Sequence, residues 1–166
     1  GRAPRRYRGQ DIFTWLKLIG FFKRTVDQLE SPREKFRPNP YVSGARGGHS
    51  LNLHQFARDG VVLLGRLQAA DSFAVQFAPD LSESLSQSDR FELELTGIID
   101  RYIERSGTTA PPEELPQWRD GYEAPIVDAL DLRAAGIGTI IWATGYHYDY
   151  SLVDLPVTDE AGFPVQ

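Results

Sequence analysis

The sequence predicts an α/β protein, and three observations carry that expectation. Residues 81–106 form a long amphipathic stretch bounded by an acid and a glycine. Phe73, Val75 and Phe77 alternate with other residues, and Ile137–Trp142 is largely apolar. The first pattern is that of a helix and the second of a half-buried strand. The third is that of a strand covered on both faces, as in a parallel sheet.

From the start of the chain, Gly1–Gly9 is a basic loop punctuated by Pro4 and glycine. Asp11 is placed to cap a helix over Ile12–Leu18, with Ile12, Trp15, Leu16 and Ile19 as its apolar stripe. Gly20 ends it, and Phe21–Leu29 is read as a second helix. Residues 31–48 hold repeated prolines and glycines and are read as loop. Ser50 or Asn52 caps a short helix with Leu53 and Phe56 inward and Gly60 as its stop. Val61–Leu64 is a β-branched-rich strand, and a turn at Ala69–Asp71 pairs it with a strand over Ser72–Phe77.

Asp80 caps the long helix Leu81–Ser106, whose buried face is marked by Leu85, Phe91, Leu95, Ile98, Ile99, Tyr102 and Ile103, and Gly107 stops it. Its acids are read as a solvated face. Thr108–Pro125 is a Pro-rich connection anchored by Trp118 and Tyr122, and Asp131–Ala135 is a short helical turn.

Composition narrows the chemistry. With 41% hydrophobic and 25% charged residues, the chain has the make-up of a soluble globular protein. It has no apolar run near the ~18–20 residues that span a bilayer and no secretory leader pattern, so a cytoplasmic location is expected. Cysteine is absent, which excludes thiolate catalysis and disulfides. His49, His54 and His147 form no HxH or HxxxH pair, and no metal site is expected. Methionine is absent and residue 1 is glycine, so the chain reads as a processed or excised piece. Residues 1–66 carry 13 Lys/Arg against 5 Asp/Glu, whereas residues 67–166 carry 5 against 18. A basic first segment attracts phosphates; the acidic remainder argues against a nucleic-acid groove across the whole surface.

Three stretches bear on function. Gly136–Tyr146, GIGTIIWATGY, ends a strand-like run in Ala143-Thr144-Gly145, small residues where a backbone can approach a ligand closely. Arg2, Arg5, Arg6 and Arg8 crowd the first loop as fixed cations suited to phosphate. Between them lie Gly47–Leu53, GGHSLNL, and Asp59–Leu67, DGVVLLGRL. No GxGxxG follows a strand and opens a helix, and Gly44–Gly48 lacks the Gly-Lys-Ser/Thr of a P-loop.

IIWATGY resembles the ATG-type motif closing the nicotinamide domain of flavin-containing monooxygenases, Baeyer–Villiger monooxygenases and N-hydroxylases. Gly138 stands where that family often has an acid. GRAPR is similar to the Arg-bearing pattern that follows the second strand of the same domain, and DGVVLLGRL to a strand in its middle. The resemblance covers essentially the whole chain. It implies a partial Rossmann-like NAD(P)-binding domain with a β-meander and a helical insert. Residues 1–145 would be the C-terminal portion of the NADPH-binding domain, lacking its GxGxxG, and 146–166 the crossover toward an FAD-binding domain.

By the same resemblance Arg2 meets the adenosine 2′-phosphate with Arg5 and Arg6 in support. Ala143, Thr144, Gly145 and Tyr146 form the close-approach turn. The implied cofactors are FAD and NADP. The implied reaction is oxygenation of a small N-, S- or carbonyl-type substrate through a flavin hydroperoxide, with the chain alone inactive and the rest of the parent polypeptide as its partner. No side chain is assigned as a catalytic acid or base.

Two other enzyme or binding readings stay open: a flavin/NAD(P)H oxidoreductase without oxygenation, and a non-enzymatic module whose basic loop binds nucleic acid or an acidic partner. A domain that kept the fold and lost the cofactor is a third. His54 is expected to be a packed or capping histidine. His147, among Tyr146, Tyr148 and Tyr150, is read as surface packing, with stacking on a cofactor ring as the alternative.

Overall fold

A computed structural model describes residues 1–29, 31, 34, 40–145, 149–150, 152 and 155–159. It is mixed α/β, with three α-helices and two small antiparallel sheets among the described residues. The chain divides into two compact units, Gly1–Asp131 and Leu132–Gln166.

In the first unit the basic loop contains a short hairpin, β1 (Arg6–Tyr7) against β2 (Gln10–Asp11), turning through Arg8 and Gly9 at φ 47 and 76. Helix α1 (Ile12–Leu18) follows directly. The Asp11 carboxylate accepts the Phe13 N–H at 2.9 Å, as the capping pattern predicts. Beyond Gly20 (φ 79) the expected helix over Phe21–Leu29 is replaced by two 3-10 turns, Phe21–Lys23 and Val26–Gln28. The β-branched pair Thr25-Val26 lies where that helix would have continued.

Helix α2 (Leu53–Arg58) is capped by Asn52, whose side chain accepts the His54 N–H. The inward residue is His54, fully buried, whereas Leu53 is half-buried and Phe56 is exposed.

The expected strand at Val61–Leu64 is not one. This segment is irregular, with Val61 and Val62 exposed and Leu63 buried. The hairpin lies further on, with β3 (Leu67–Asp71) antiparallel to β4 (Ala74–Phe77) and Asp71 opposite Ala74. Its two-residue turn is Ser72-Phe73, with Ser72 at φ 52, so the turn falls just after the predicted one. Strand β5 (Ala129–Asp131) adds to β4 as the third strand.

Helix α3 (Leu81–Ser106) has the predicted bounds, and Gly107 ends it in the left-handed conformation at φ 66. Asp80 does not cap it through its side chain; that carboxylate instead accepts the Arg66 N–H at 2.9 Å. The helix buries Leu85, Glu92, Leu95, Thr96, Ile99 and Ile103. Ile98, expected inside, is exposed, and Phe91 and Tyr102 are half-buried. The C-terminal half of α3 packs on Trp15, Ile12, Leu16, Tyr7 and Ala3, the main core. Trp15 is fully buried, and its indole N–H donates to the Tyr7 carbonyl at 2.7 Å.

Chain beyond β5 turns at 132–136 without forming the expected helical turn; the Ile137 N–H donates to the Leu132 carbonyl at 2.8 Å. Ile137–Trp142, expected as a strand buried on both faces, is irregular, and Ile140, Ile141 and Trp142 are exposed. A parallel strand needs neighbours to take its backbone groups. The only parallel pairing among the described residues is the isolated bridge Arg2–Tyr41. No helix among them is long and apolar enough to cross a membrane.

Candidate functional site

The arginines of the first loop meet different fates. Arg2 turns inward and is only 6% exposed. Its guanidinium lies 3.0 Å from Asp89 and 2.5 Å from Glu92, both on α3, and donates to the Asn52 side chain at 3.1 Å. Burial works against the cation, but the hydrogen bond to Glu92 and the charges of Glu92 and Asp89 outweigh it. The Arg2 pKa stands above its ordinary value. Arg5 pairs with Asp11 at 2.7 Å and lies over the Phe13 ring, and its backbone N–H donates to Ser50 Oγ at 2.8 Å. Arg8 pairs with Asp100 at 2.8 Å. Arg6 is exposed and has no ion-pair partner among the described residues.

Asp89, half-buried on α3, is the hub of a partly buried polar network where a solvated helix face is expected. Besides Arg2, it accepts the Tyr122 hydroxyl at 2.6 Å and faces His54 Nε2 at 3.2 Å. The other ring nitrogen, Nδ1, accepts the Gly121 N–H at 3.0 Å. An accepting Nδ1 leaves the proton on Nε2, where it points at Asp89, so both ring nitrogens are satisfied in one tautomer. The His54 ring also sits 4.8 Å from Tyr122. Burial, the hydrogen bond to Asp89 and the Asp89 charge together raise the Tyr122 pKa above its ordinary value. The network ties the first loop, α2, α3 and the 3-10 turn Asp120–Tyr122 together. The contacts hold these residues in place, although the buried Arg2 Nε–H meets no acceptor among the described residues.

Trp118 anchors its loop as expected. The Arg58 guanidinium lies 3.9 Å from its ring centroid and pairs with Asp120 at 2.8 Å. His54 is packed, as its position on α2 suggested.

In the second unit, Ala143, Thr144 and Gly145 are exposed, and Gly145 adopts φ 85, where a side chain would be strained. A Cβ built there would meet nothing within 4 Å. Tyr146 and His147 lie outside the described residues. No group of three or more His, Asp or Glu among the described residues is arranged to hold a metal ion.

A signal for the partly buried network exists in the sequence. Leu85, Asp89, Glu92, Thr96, Ile99 and Ile103 follow alternating steps of four and three, a single helix stripe. The polar members of that stripe were bound to be carried inward with the apolar ones. Neither family models, nor curated proteins, nor solved structures yield a match to this chain.

Proposed function

We propose that this chain is the nicotinamide-facing part of an FAD-dependent, NADPH-using monooxygenase acting on a small organic substrate. The observation that carries the reading is the order of three stretches along one chain: the arginine loop, DGVVLLGRL and IIWATGY. Two structural features support it. The glycine of the ATG turn sits in a left-handed conformation with open space above it, so a ligand could approach that backbone. The arginine loop keeps one exposed cation without an ion-pair partner among the described residues, Arg6, able to meet a phosphate.

The fold implied is a partial Rossmann-like domain, in which Val61–Leu64 and Ile137–Trp142 pair with strands supplied by the rest of the polypeptide. Exposed, β-branched, apolar segments fit that role better than they fit loop. Against FAD, the chain's own residues do not fit. The described residues contain no strand, Gly-rich turn and helix in succession to seat a pyrophosphate. In this reading FAD would be held by residues outside this chain. Within the first unit, the basic loop is the segment suited to bind and orient the nucleotide.

Titration of the full-length polypeptide with NADPH and NADH tests the reading, alongside oxygen uptake with candidate amines, sulfides and ketones. Tighter binding of NADPH and oxygen consumed in step with substrate are expected. Oxidation without oxygen incorporation would instead make it a non-oxygenating flavin oxidoreductase. Indifference to both nucleotides, with strongly salt-dependent DNA binding, would overturn the proposal in favour of a binding module.

A further inference from the structure

Gly121, buried in the 3-10 turn Asp120–Tyr122, packs its backbone against an imidazole. A Cβ there would lie 2.9 Å from His54 Nδ1, 2.9 Å from Leu85 and 3.3 Å from Leu63, so the contact requires glycine. The bare backbone lets the Gly121 N–H donate to Nδ1 at 3.0 Å, on a ring with no exposure to solvent. Across the ring, Nε2 faces Asp89 at 3.2 Å, and the same carboxylate oxygen takes the Tyr122 hydroxyl.

An imidazole titrates near pH ~6.5, and the proton it gains goes to the nitrogen that lacks one. In His54 that nitrogen is Nδ1, the acceptor for Gly121. Protonation would set N–H against N–H on that side of the ring. On the other side it would strengthen the contact with Asp89, which would then face a cation. The surrounding charges act in both directions. Asp89 of α3 favours the cation, whereas Arg2 of the first loop, 3.0 Å from the other oxygen of Asp89 and paired with Glu92, opposes it. In the turn itself Asp120 takes two bonds from Arg58 of α2, at 2.8 and 2.9 Å, and Arg119 lies over the Tyr122 ring. The hydrogen bond from Arg58 holds the Asp120 carboxyl below its ordinary pKa, so that pair outlasts a neutral imidazole as pH falls.

We infer that His54 is an acid-sensitive latch: neutral, it holds Gly121, and protonated, it releases the Asp120–Tyr122 turn to pivot on the Arg58–Asp120 pair. The latch is closed above the imidazole range and open below it. Gly121 and Tyr122 form one wall of a cavity of about 260 Å³, lined also by Leu63, Ala78, Pro79 and Val127, so release of the turn opens an apolar space to solvent. The switch does not depend on the nicotinamide reading.

The experiment is an NMR titration of the 166-residue chain, as wild type and His54→Asn, from about pH 7.5 to about pH 5. Asparagine offers an acceptor oxygen near the position of Nδ1 and does not titrate. In the wild type, the His54 ring protons and the Gly121 amide should shift with one midpoint. Protection of Gly121 against hydrogen exchange should fall about tenfold, as the loss of one hydrogen bond predicts. Amides near Trp15 and Ile99 should not respond, and in His54→Asn the Gly121 amide should stay protected throughout. A ring that titrates while Gly121 keeps its protection would overturn the latch, as would a ring still neutral at the acid end. A midpoint shared with the core amides would mean unfolding and overturn it too, and so would the same loss of protection in His54→Asn. Should His54→Asn not fold, the wild-type midpoints alone decide.

Discussion

Asp89 shows how one side chain on a helix can set the chemistry of its neighbours. Its carboxylate serves Arg2, His54 and Tyr122, whose sequence positions span more than half the chain. Such a network is illegible from local patterns, since nothing near Asp89 announces Arg2, 87 positions earlier; only the stripe through Leu85, Glu92 and Ile99 hints at burial. The arrangement has a consequence at high pH. Tyr122 and Tyr7 both hold their protons more tightly folded than at the ordinary value of 10.0, through burial and, further, through hydrogen bonds to Asp89 and Asp100. Below about pH 10 both the folded and unfolded chains are protonated and the full stability is present. Above it the unfolded chain ionises first, so stability falls as pH rises toward and through the folded-state values. Thermal midpoints taken from pH 8 to 11.5 should therefore drop above pH 10. The drop should be shallower in Tyr122→Phe and shallower again in Tyr7→Phe/Tyr122→Phe. Parallel curves for all three proteins would show that these hydroxyls do not couple to folding.

At the scale of elements, what the sequence announced best was what depends on near neighbours. The caps at Asp11 and Asn52 and the glycine stop at Gly107 each act within a few residues, and each is found where the pattern places it. Strand pairing depends on distant partners, and there the reading slipped. The hairpin turns at Ser72-Phe73 because pairing Asp71 with Ala74 leaves two residues to close it; Val75 and Phe77 are half-buried, as their alternation predicts, whereas β3 is exposed along its length and no burial pattern marks it. Packing behind the hairpin is tight at one point. A Cβ at Gly65 would lie 1.8 Å from the Ala78 carbonyl oxygen, whose own residue donates its N–H to Arg66. Because that neighbour is backbone, Gly65→Ala should destabilise by about 1–3 kcal/mol or more, as overpacked sites do. Gly60, with open space around it but φ 90, should lose only about 1–2 kcal/mol to alanine, the cost of the left-handed conformation. Chemical denaturation of the two variants compares them directly, and a Gly65→Ala protein as stable as wild type would refute the close approach.

At the scale of the whole molecule, the two most strand-like apolar runs are the ones without partners. Val61–Leu64 and Ile137–Trp142 have the composition of sheet interior, yet neither is in a ladder and most of their large side chains face solvent. Helix α3 presents the opposite case: its backbone is bonded along 26 residues and its buried stripe packs on the main core around Trp15. Amide hydrogen exchange should separate them. Amides near Leu95 and Ile99 should open only with the core, whereas those of residues 61–64 and 137–142 should exchange close to the rate of unstructured peptide. When these residues are carried in a full-length polypeptide that supplies a parallel sheet, both runs should gain protection together, because a central strand has every N–H taken by a neighbour. Slow exchange at 137–142 in the 166-residue chain by itself would mean that the strand already has a partner. Fast exchange in both proteins would mean that these runs are loop, and the Rossmann-like reading would lose the strands it depends on.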